Sequence, residues 1–225
     1  LKDVKEVIPE DAVIFTDVGW NKNGVAQEFD ITIPGTIHHS SGLATMGFGP
    51  SAVLGGKVAA PDKIVINLTG DGGFGINPSC LATAVEHGIA CTWVVMNNSA
   101  FGTIAGLENA NYKTKFGTVF YKPDGERYTI CWADVAKSYG IESICVNSAE
   151  EFKPALEKAI AANKEGRPFL VEAPMENIVV PTPGCWNIND IYTPNALVKE
   201  GKLVKKENGR YVAPSHSQSH DGCLN

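Results

Sequence analysis

The hydrophobic positions of the chain fall into short continuous runs separated by longer, one-sided patterns. AVIFTDV (12–18), KIVINLT (63–69), TWVVMN (92–97), IESICV (141–146) and PFLVEAP (168–174) are apolar nearly throughout. Strands covered on both faces read this way, so the runs predict a parallel sheet. Between them, MGFGPSAVLGGKVAA (46–60), PSCLATAVEHG (78–88), WADVAKSYG (132–140) and SAEEFKPALEKAIAANKEG (148–166) carry helical patterns. In the last of these, Phe152, Leu156 and Ile160 recur with charges between, as on a surface helix packed by one stripe. Gly88, Gly140 and Gly166 stand where helices are expected to stop. The alternation predicts an α/β fold in three layers, a doubly wound, mainly parallel sheet with helices on both faces. From about residue 176 the periodicity fades, which predicts a domain over 1–175 followed by an arm or tail over 176–225.

Bulk properties narrow the class. With 225 residues, 44% hydrophobic and 20% charged, the chain has material for one sizeable core. The net charge of -6 and the lack of a dense Lys/Arg stripe argue against a nucleic-acid partner. No apolar run is long enough to span a bilayer, so no membrane role is expected. The six cysteines (80, 91, 131, 145, 185 and 223) form no C-x-x-C pair, and several lie in apolar runs. They read as free thiols of a reducing, cytoplasmic compartment rather than as zinc ligands or a disulfide framework.

The chemistry gathers where three strands end: Asp17-Val18-Gly19, Gly70-Asp71-Gly72-Gly73, and Asn97-Asn98. In an open parallel sheet these carboxyl ends share one edge, where ligands collect. Glycines let backbone amides approach an anion, and a helix expected from about Pro78 would add its N-terminal dipole. A carboxylate with carboxamide and backbone oxygens suits a hard cation, Mg²⁺ or Ca²⁺. Asp71 and Asn98 are thus candidate metal ligands beside a phosphate or diphosphate site.

The G-D-G at 70–72 and N-N at 97–98, with residues 73–96 between them, resemble the diphosphate-binding motif of thiamine-diphosphate enzymes. SGLATMGFGPSAVLGGKVAAPDKIVINLTGDG (41–72) is similar to the acetolactate synthase branch of that family. The resemblance covers roughly residues 1–175 and implies the thiamine-diphosphate-binding fold, with thiamine diphosphate and Mg²⁺ as cofactors. Carried over residue by residue, it implies Asp71, Asn98 and the backbone carbonyl of Ala100 as metal ligands. Gly70, Gly72 and Gly73 would meet the diphosphate, with Gly19-Trp20-Asn21 and Phe101-Gly102 lining the same pocket. Met46 would support the bent cofactor, and the backbone of Ala44 and Met46 would meet its aminopyrimidine.

What the family does is then the expected function: C–C bond cleavage or formation next to a carbonyl, first of all decarboxylation or carboligation of a small 2-oxo acid. A lyase or hydrolase acting on a 2-hydroxyacyl or cyclic dione substrate is the alternative, and a non-catalytic regulatory paralogue is the contrasting class. The family's catalytic glutamate belongs to a pyrimidine-binding domain that these residues do not match. The resemblance therefore implies that a partner domain or subunit supplies it, within a homo- or hetero-oligomer. Phe101-Gly102-Thr103 and Leu107-Glu108 stand where the synthases carry a glutamine and later a tryptophan, so acetolactate synthesis itself does not follow. A ferredoxin-linked oxidoreductase lacks its cysteine cluster here. His38, His39, His216, His220 and Cys185 read as surface or structural groups before any role at a site.

Overall fold

The computed structural model of the protein describes residues 1–177, 198–201, 203–205 and 211–212. The chain divides into two units, Leu1–Asn177 and Ile178–Asn225. In the first, β1 (Val13–Thr16), β2 (Ile37–His39), β3 (Val65–Gly70), β4 (Thr92–Asn97), β5 (Glu142–Cys145) and β6 (Phe169–Pro174) form one sheet. Their order is β2-β1-β3-β4-β6-β5, and every neighbouring pair is parallel. In the second unit, β7 (Val204–Lys205) pairs antiparallel with β8 (Tyr211–Val212). Cys185, His216 and His220 lie outside the described residues.

Successive strand residues point to opposite faces, and each face has its own helical cover. Val13, Phe15, Val65, Trp93, Val95 and Leu170 pack beneath α3 (Phe48–Ala59), α5 (Cys80–Glu86) and α7 (Trp132–Ser138). Ile14, Ile66, Leu68 and Val94 pack against α1 (Lys2–Val7), α2 (Trp20–Glu28) and α8 (Ala149–Lys164). Phe169 and Val171 extend this second face under Ala155 and Ala159 of α8. Two apolar faces explain why the strands read as unbroken hydrophobic runs. The expected three-layer fold is the observed one, with a sheet that is wholly parallel.

Several of the described elements escape the sequence pattern. β2 is a three-residue edge strand whose IHH sequence is half-buried to exposed, and His38 stacks on Phe15 with ring centroids 4.9 Å apart. α2 buries Asn21 and Val25, too little for an apolar stripe, and α1 buries Val4. α6 (Gly102–Tyr112) buries Ala105 and Gly106 while Ile104 and Leu107 face outward. The glycines after α5, α7 and α8 take positive φ, as expected of helix-ending positions.

Strand order also fixes where a ligand can enter. The connection after β1 leads to β2 on one side, and the connection after β3 leads to β4 on the other. Their carboxyl ends, residues 17–19 and 70–73, therefore flank the switch point of the sheet, where a crevice opens.

Leu156 is fully buried between α8 and the sheet. Leu156→Ala should cost about 2–5 kcal/mol of unfolding free energy, read as a lowered urea midpoint at unchanged slope. A loss under about 1 kcal/mol would contradict the packing described.

Candidate functional site

The three polar turns meet at the switch-point edge. Asp71 opens α4 (Asp71–Phe74), so Asp71, Gly72 and Gly73 supply a helix's first amides, which lack intrahelical acceptors. The helix expected from about Pro78 is α5, which begins at Cys80, and α4 precedes it at the strand end. The strand runs straight into α4, whose four residues are held by the bond from the Gly75 amide to the Asp71 carbonyl, 2.9 Å.

Asp71 is 4% exposed. Its Oδ1 accepts from the Asn98 amide at 3.3 Å, yet burial dominates over these backbone hydrogen bonds and pushes the carboxyl up to about 6. Asn98 Nδ2 donates to Asn177 Oδ1 at 3.2 Å. In that orientation Asn98 Oδ1 lies 2.9 Å from Asp71 Oδ1 and 3.0 Å from the Ala100 carbonyl oxygen. Three acceptors thus converge with no proton between them. Turning the amide over would supply donors to Asp71 and Ala100, but would set its oxygen against Asn177 Oδ1. A cation relieves the crowding without creating that second conflict.

The convergence depends on the backbone at Ser99, whose φ of 51° is rare for a residue with a Cβ. Asn97 holds this turn: its Oδ1 accepts from the Ser99 amide at 3.1 Å, and its Nδ2 donates to Glu172 Oε1 at 2.7 Å and to the Ile130 carbonyl at 2.9 Å. Arg127 grips the same turn from outside, donating to the carbonyls of Asn98 at 2.7 Å and Ser99 at 3.2 Å.

On the other side of the crevice stands the turn before α3. Ala44 has φ 49° and Gly47 has φ 82°, and Met46 lies between them. Asp17, fully buried, fixes this turn: its Oδ1 accepts from Val18 at 2.8 Å and Gly47 at 3.2 Å, and its Oδ2 from Gly49 at 2.8 Å. Glycine is required where these parts touch. A Cβ at Gly73 would stand 2.5 Å from Asp17 Oδ1, and one at Gly72 would stand 2.7 Å from the Phe101 ring and 3.5 Å from Met46 Cε.

Gly19, Trp20, Asn21, Phe101 and Gly102 complete the rim. A Cβ at Gly102 would meet Asn98 Nδ2 at 2.6 Å and Trp20 Cδ1 at 3.6 Å; one at Gly19 would meet Thr103 Oγ1 at 3.5 Å. Asn21 Oδ1 and Thr103 Oγ1 are both buried without a hydrogen-bond partner. Unpaired buried polar atoms are uncommon, and here two of them flank the glycine turn.

The structure therefore brings every sequence-derived candidate to one edge: 19–21, 44 and 46, 70–73, 98 and 100–102. Sequence reasoning missed the groups that hold them in place. Asp17 lay in view at the end of a strand, whereas Asn177, Arg127 and Glu172 reach the site through long-range contacts that no local spacing signals.

Asp17→Asn retains one carbonyl oxygen for three amides. It should leave the Gly47 or Gly49 amide unpaired, at a cost of about 1–3 kcal/mol, and speed its hydrogen exchange while the amides of β3 stay protected. Unchanged exchange at both glycines would contradict the assigned role.

Residues 17–173 match the family model described as thiamine pyrophosphate enzyme, C-terminal TPP binding domain. A probable acetolactate synthase large subunit of Methanocaldococcus jannaschii is 34% identical over 82% of the chain and 31% of its own length. A 3D-(3,5/4)-trihydroxycyclohexane-1,2-dione hydrolase of Bacillus velezensis is 33% identical over 71% of the chain and 25% of its own length. Among solved structures, a thiamine diphosphate-dependent 4-hydroxybenzoylformate decarboxylase of Rhodococcus jostii RHA1 superposes with a TM-score of 0.67 at 25% identity, covering 77% of the chain and 31% of that protein. The chain spans between a quarter and a third of the length of these relatives. It belongs to the thiamine pyrophosphate enzymes, and its first unit carries their C-terminal TPP-binding domain.

Proposed function

We propose that the chain is the diphosphate- and metal-binding part of a thiamine-diphosphate- and Mg²⁺-dependent enzyme that makes or breaks a C–C bond beside a carbonyl. Residues 1–175 hold the cofactor, and the small 2-oxo acid decarboxylated or ligated is the first-choice substrate class. A pyrimidine-binding domain, on a partner chain or elsewhere in the same protein, completes the site within an oligomer.

One observation carries the reading: Asn98 Oδ1 stands 2.9 and 3.0 Å from the two other oxygens without a donor. Octahedral Mg²⁺, with bonds of 2.0–2.1 Å, sets neighbouring ligand oxygens roughly 2.9 Å apart. The two separations fit adjacent corners of that octahedron. Two carboxamide or carbonyl oxygens and one carboxylate also match the hard-cation preference, and leave positions for diphosphate oxygens.

The chain's own groups then divide the work. Asp71, Asn98 and Ala100 hold the metal, while the amides of Gly72 and Gly73 face the diphosphate at the start of α4. Met46, held against Gly72 by the Asp17-anchored turn, is the apolar support of the cofactor. Asn21, Thr103, Trp20 and Phe101 line the wall and exclude water. Bound thiamine diphosphate supplies a thiazolium that accepts the electron pair released on C–C cleavage. Hydrolytic cleavage of a cyclic dione is the second reading, favoured by the 33% identity to the dione hydrolase over most of this chain.

Calorimetry on the complex with its pyrimidine-binding partner should show thiamine diphosphate binding that requires Mg²⁺ and is lost in Asp71→Ala. Metal-independent binding would overturn the assignment. A pH dependence follows from Asp71. Its folded value of about 6 lies above the unfolded 3.8, so its contribution is fully present below about pH 3.8 and is lost as pH rises through 6. The loss is about 3 kcal/mol in the metal-free protein. Against Asp71→Asn, the metal-free parent should lose stability between pH 4 and 7 in urea titrations, and Mg²⁺ affinity should weaken about tenfold per pH unit below 6. Parallel pH profiles for the two proteins would contradict the burial described for Asp71.

A further inference from the structure

A second group of ligating atoms lies apart from the cofactor crevice, at the β5 edge of the sheet. Cys145 is the last residue of β5 and sits in direct register with Glu172 of β6. In-register residues of adjacent parallel strands project from the same face, about 4.8 Å apart. Cys131 reaches the same spot from the residue preceding α7. The two sulfurs and a Glu172 carboxylate oxygen all lie within 4.8 Å of one another. The separations of 14 and 27 residues between these positions hide the grouping from any motif search.

The supports are rigid. Glu172, 1% exposed, accepts from Asn97 through Oε1 at 2.7 Å and from the Ala133 amide through Oε2 at 2.8 Å. Ser143 Oγ donates to the Ala133 carbonyl at 2.6 Å, tying α7 to β5. Cys131 Sγ stands 3.6 Å from Glu172 Oε2. Glu172 keeps lone pairs free beyond its two amide donors. Both thiols are raised above their ordinary range, Cys131 mainly by burial and Cys145 by burial and then the Glu172 charge, with Cys145 at about 11. Lys137 of α7 is close enough to couple electrostatically to both sulfurs, while its hydrogen bond goes to Asp134 at 2.9 Å.

We propose that Cys131, Cys145 and Glu172 form a metal site for a borderline-soft divalent cation of the Zn²⁺ class, separate from the Mg²⁺ site. Two thiolates and a carboxylate are a zinc donor set, whereas Mg²⁺ takes oxygen alone. Tetrahedral Zn²⁺ with bonds of about 2.3 Å to sulfur and 2.1 Å to oxygen needs ligand atoms about 3.5–3.8 Å apart. Cys131 Sγ and Glu172 Oε2, 3.6 Å apart, already meet that spacing, and the remaining separations, at most 4.8 Å, close to it by a shift of about an ångström. The fourth position opens toward solvent on the Cys131 side, where Asp134 lies close enough to hydrogen-bond the thiol. Both thiols give up their protons on metal uptake, two H⁺ for each cation bound.

Co²⁺, a spectroscopic stand-in for Zn²⁺, tests the site on the full chain. One equivalent should produce a sulfur-to-metal charge-transfer band, release about two protons, and be displaced by Zn²⁺. Cys131→Ser and Cys145→Ser should each weaken uptake at least tenfold, and the double variant should abolish the band. Asp71→Ala, which removes a ligand of the proposed Mg²⁺ site, should leave it intact. Independently of any variant, Zn²⁺ should protect Cys131 and Cys145 together from alkylation, read by mass spectrometry. A band that survives in the double serine variant, or no protection of the two cysteines by Zn²⁺, would overturn the proposal.

Discussion

The Asn98 side chain, whose Oδ1 in the orientation that donates to Asn177 stands about 3 Å from both Asp71 Oδ1 and the Ala100 carbonyl oxygen, sets the terms for the rest of this molecule. Such an arrangement costs free energy in the absence of a cation, because like partial charges repel most strongly where water is excluded. It persists because each loop is held from behind. Asn97 and Arg127 fix the turn carrying Asn98 and Ala100, and the direct run of β3 into α4 fixes Asp71. Burial separately raises the proton affinity of Asp71.

Topology supplies what the loops cannot. A fully parallel sheet delivers all its carboxyl ends to one edge, and the reversal of winding between β1 and β3 opens that edge into a crevice. Burying the sheet on both faces lets short strands of four to six residues bear the loops without fraying. Close contacts among glycines then shape the crevice: Gly73 against Asp17, Gly72 against Phe101 and Met46. Under the proposed function, main-chain amides and a metal would form the anion-binding surface, which is how a chain of net charge -6 could hold a diphosphate.

Much of this was legible in the sequence, and the reasons differ by element. β1, β3, β4, β5 and β6 announce themselves as apolar runs because both sides are covered. β2 does not, since two of its three residues are exposed histidines. α2 and α6 bury two residues each, so no stripe marks them. The site residues were legible because strand-end loops are local in sequence: G-D-G and N-N sit beside the strands that aim them. Asn177, Arg127 and the Cys131–Cys145–Glu172 group were not, because they meet through pairings between distant segments. The same Glu172 that borders the two thiols also steadies Asn97, the residue before Asn98.

The central claim is that Asp71, Asn98 and Ala100 surround a divalent cation. Its most direct test is the anomalous scattering of Mn²⁺ in crystals of the protein grown with that ion and thiamine diphosphate. The account predicts one peak bonded to the Asp71 carboxylate, the Asn98 side-chain oxygen and the Ala100 carbonyl at about 2.0–2.3 Å. A peak elsewhere, with the Asn98 amide turned so that its nitrogen faces Asp71, would contradict it.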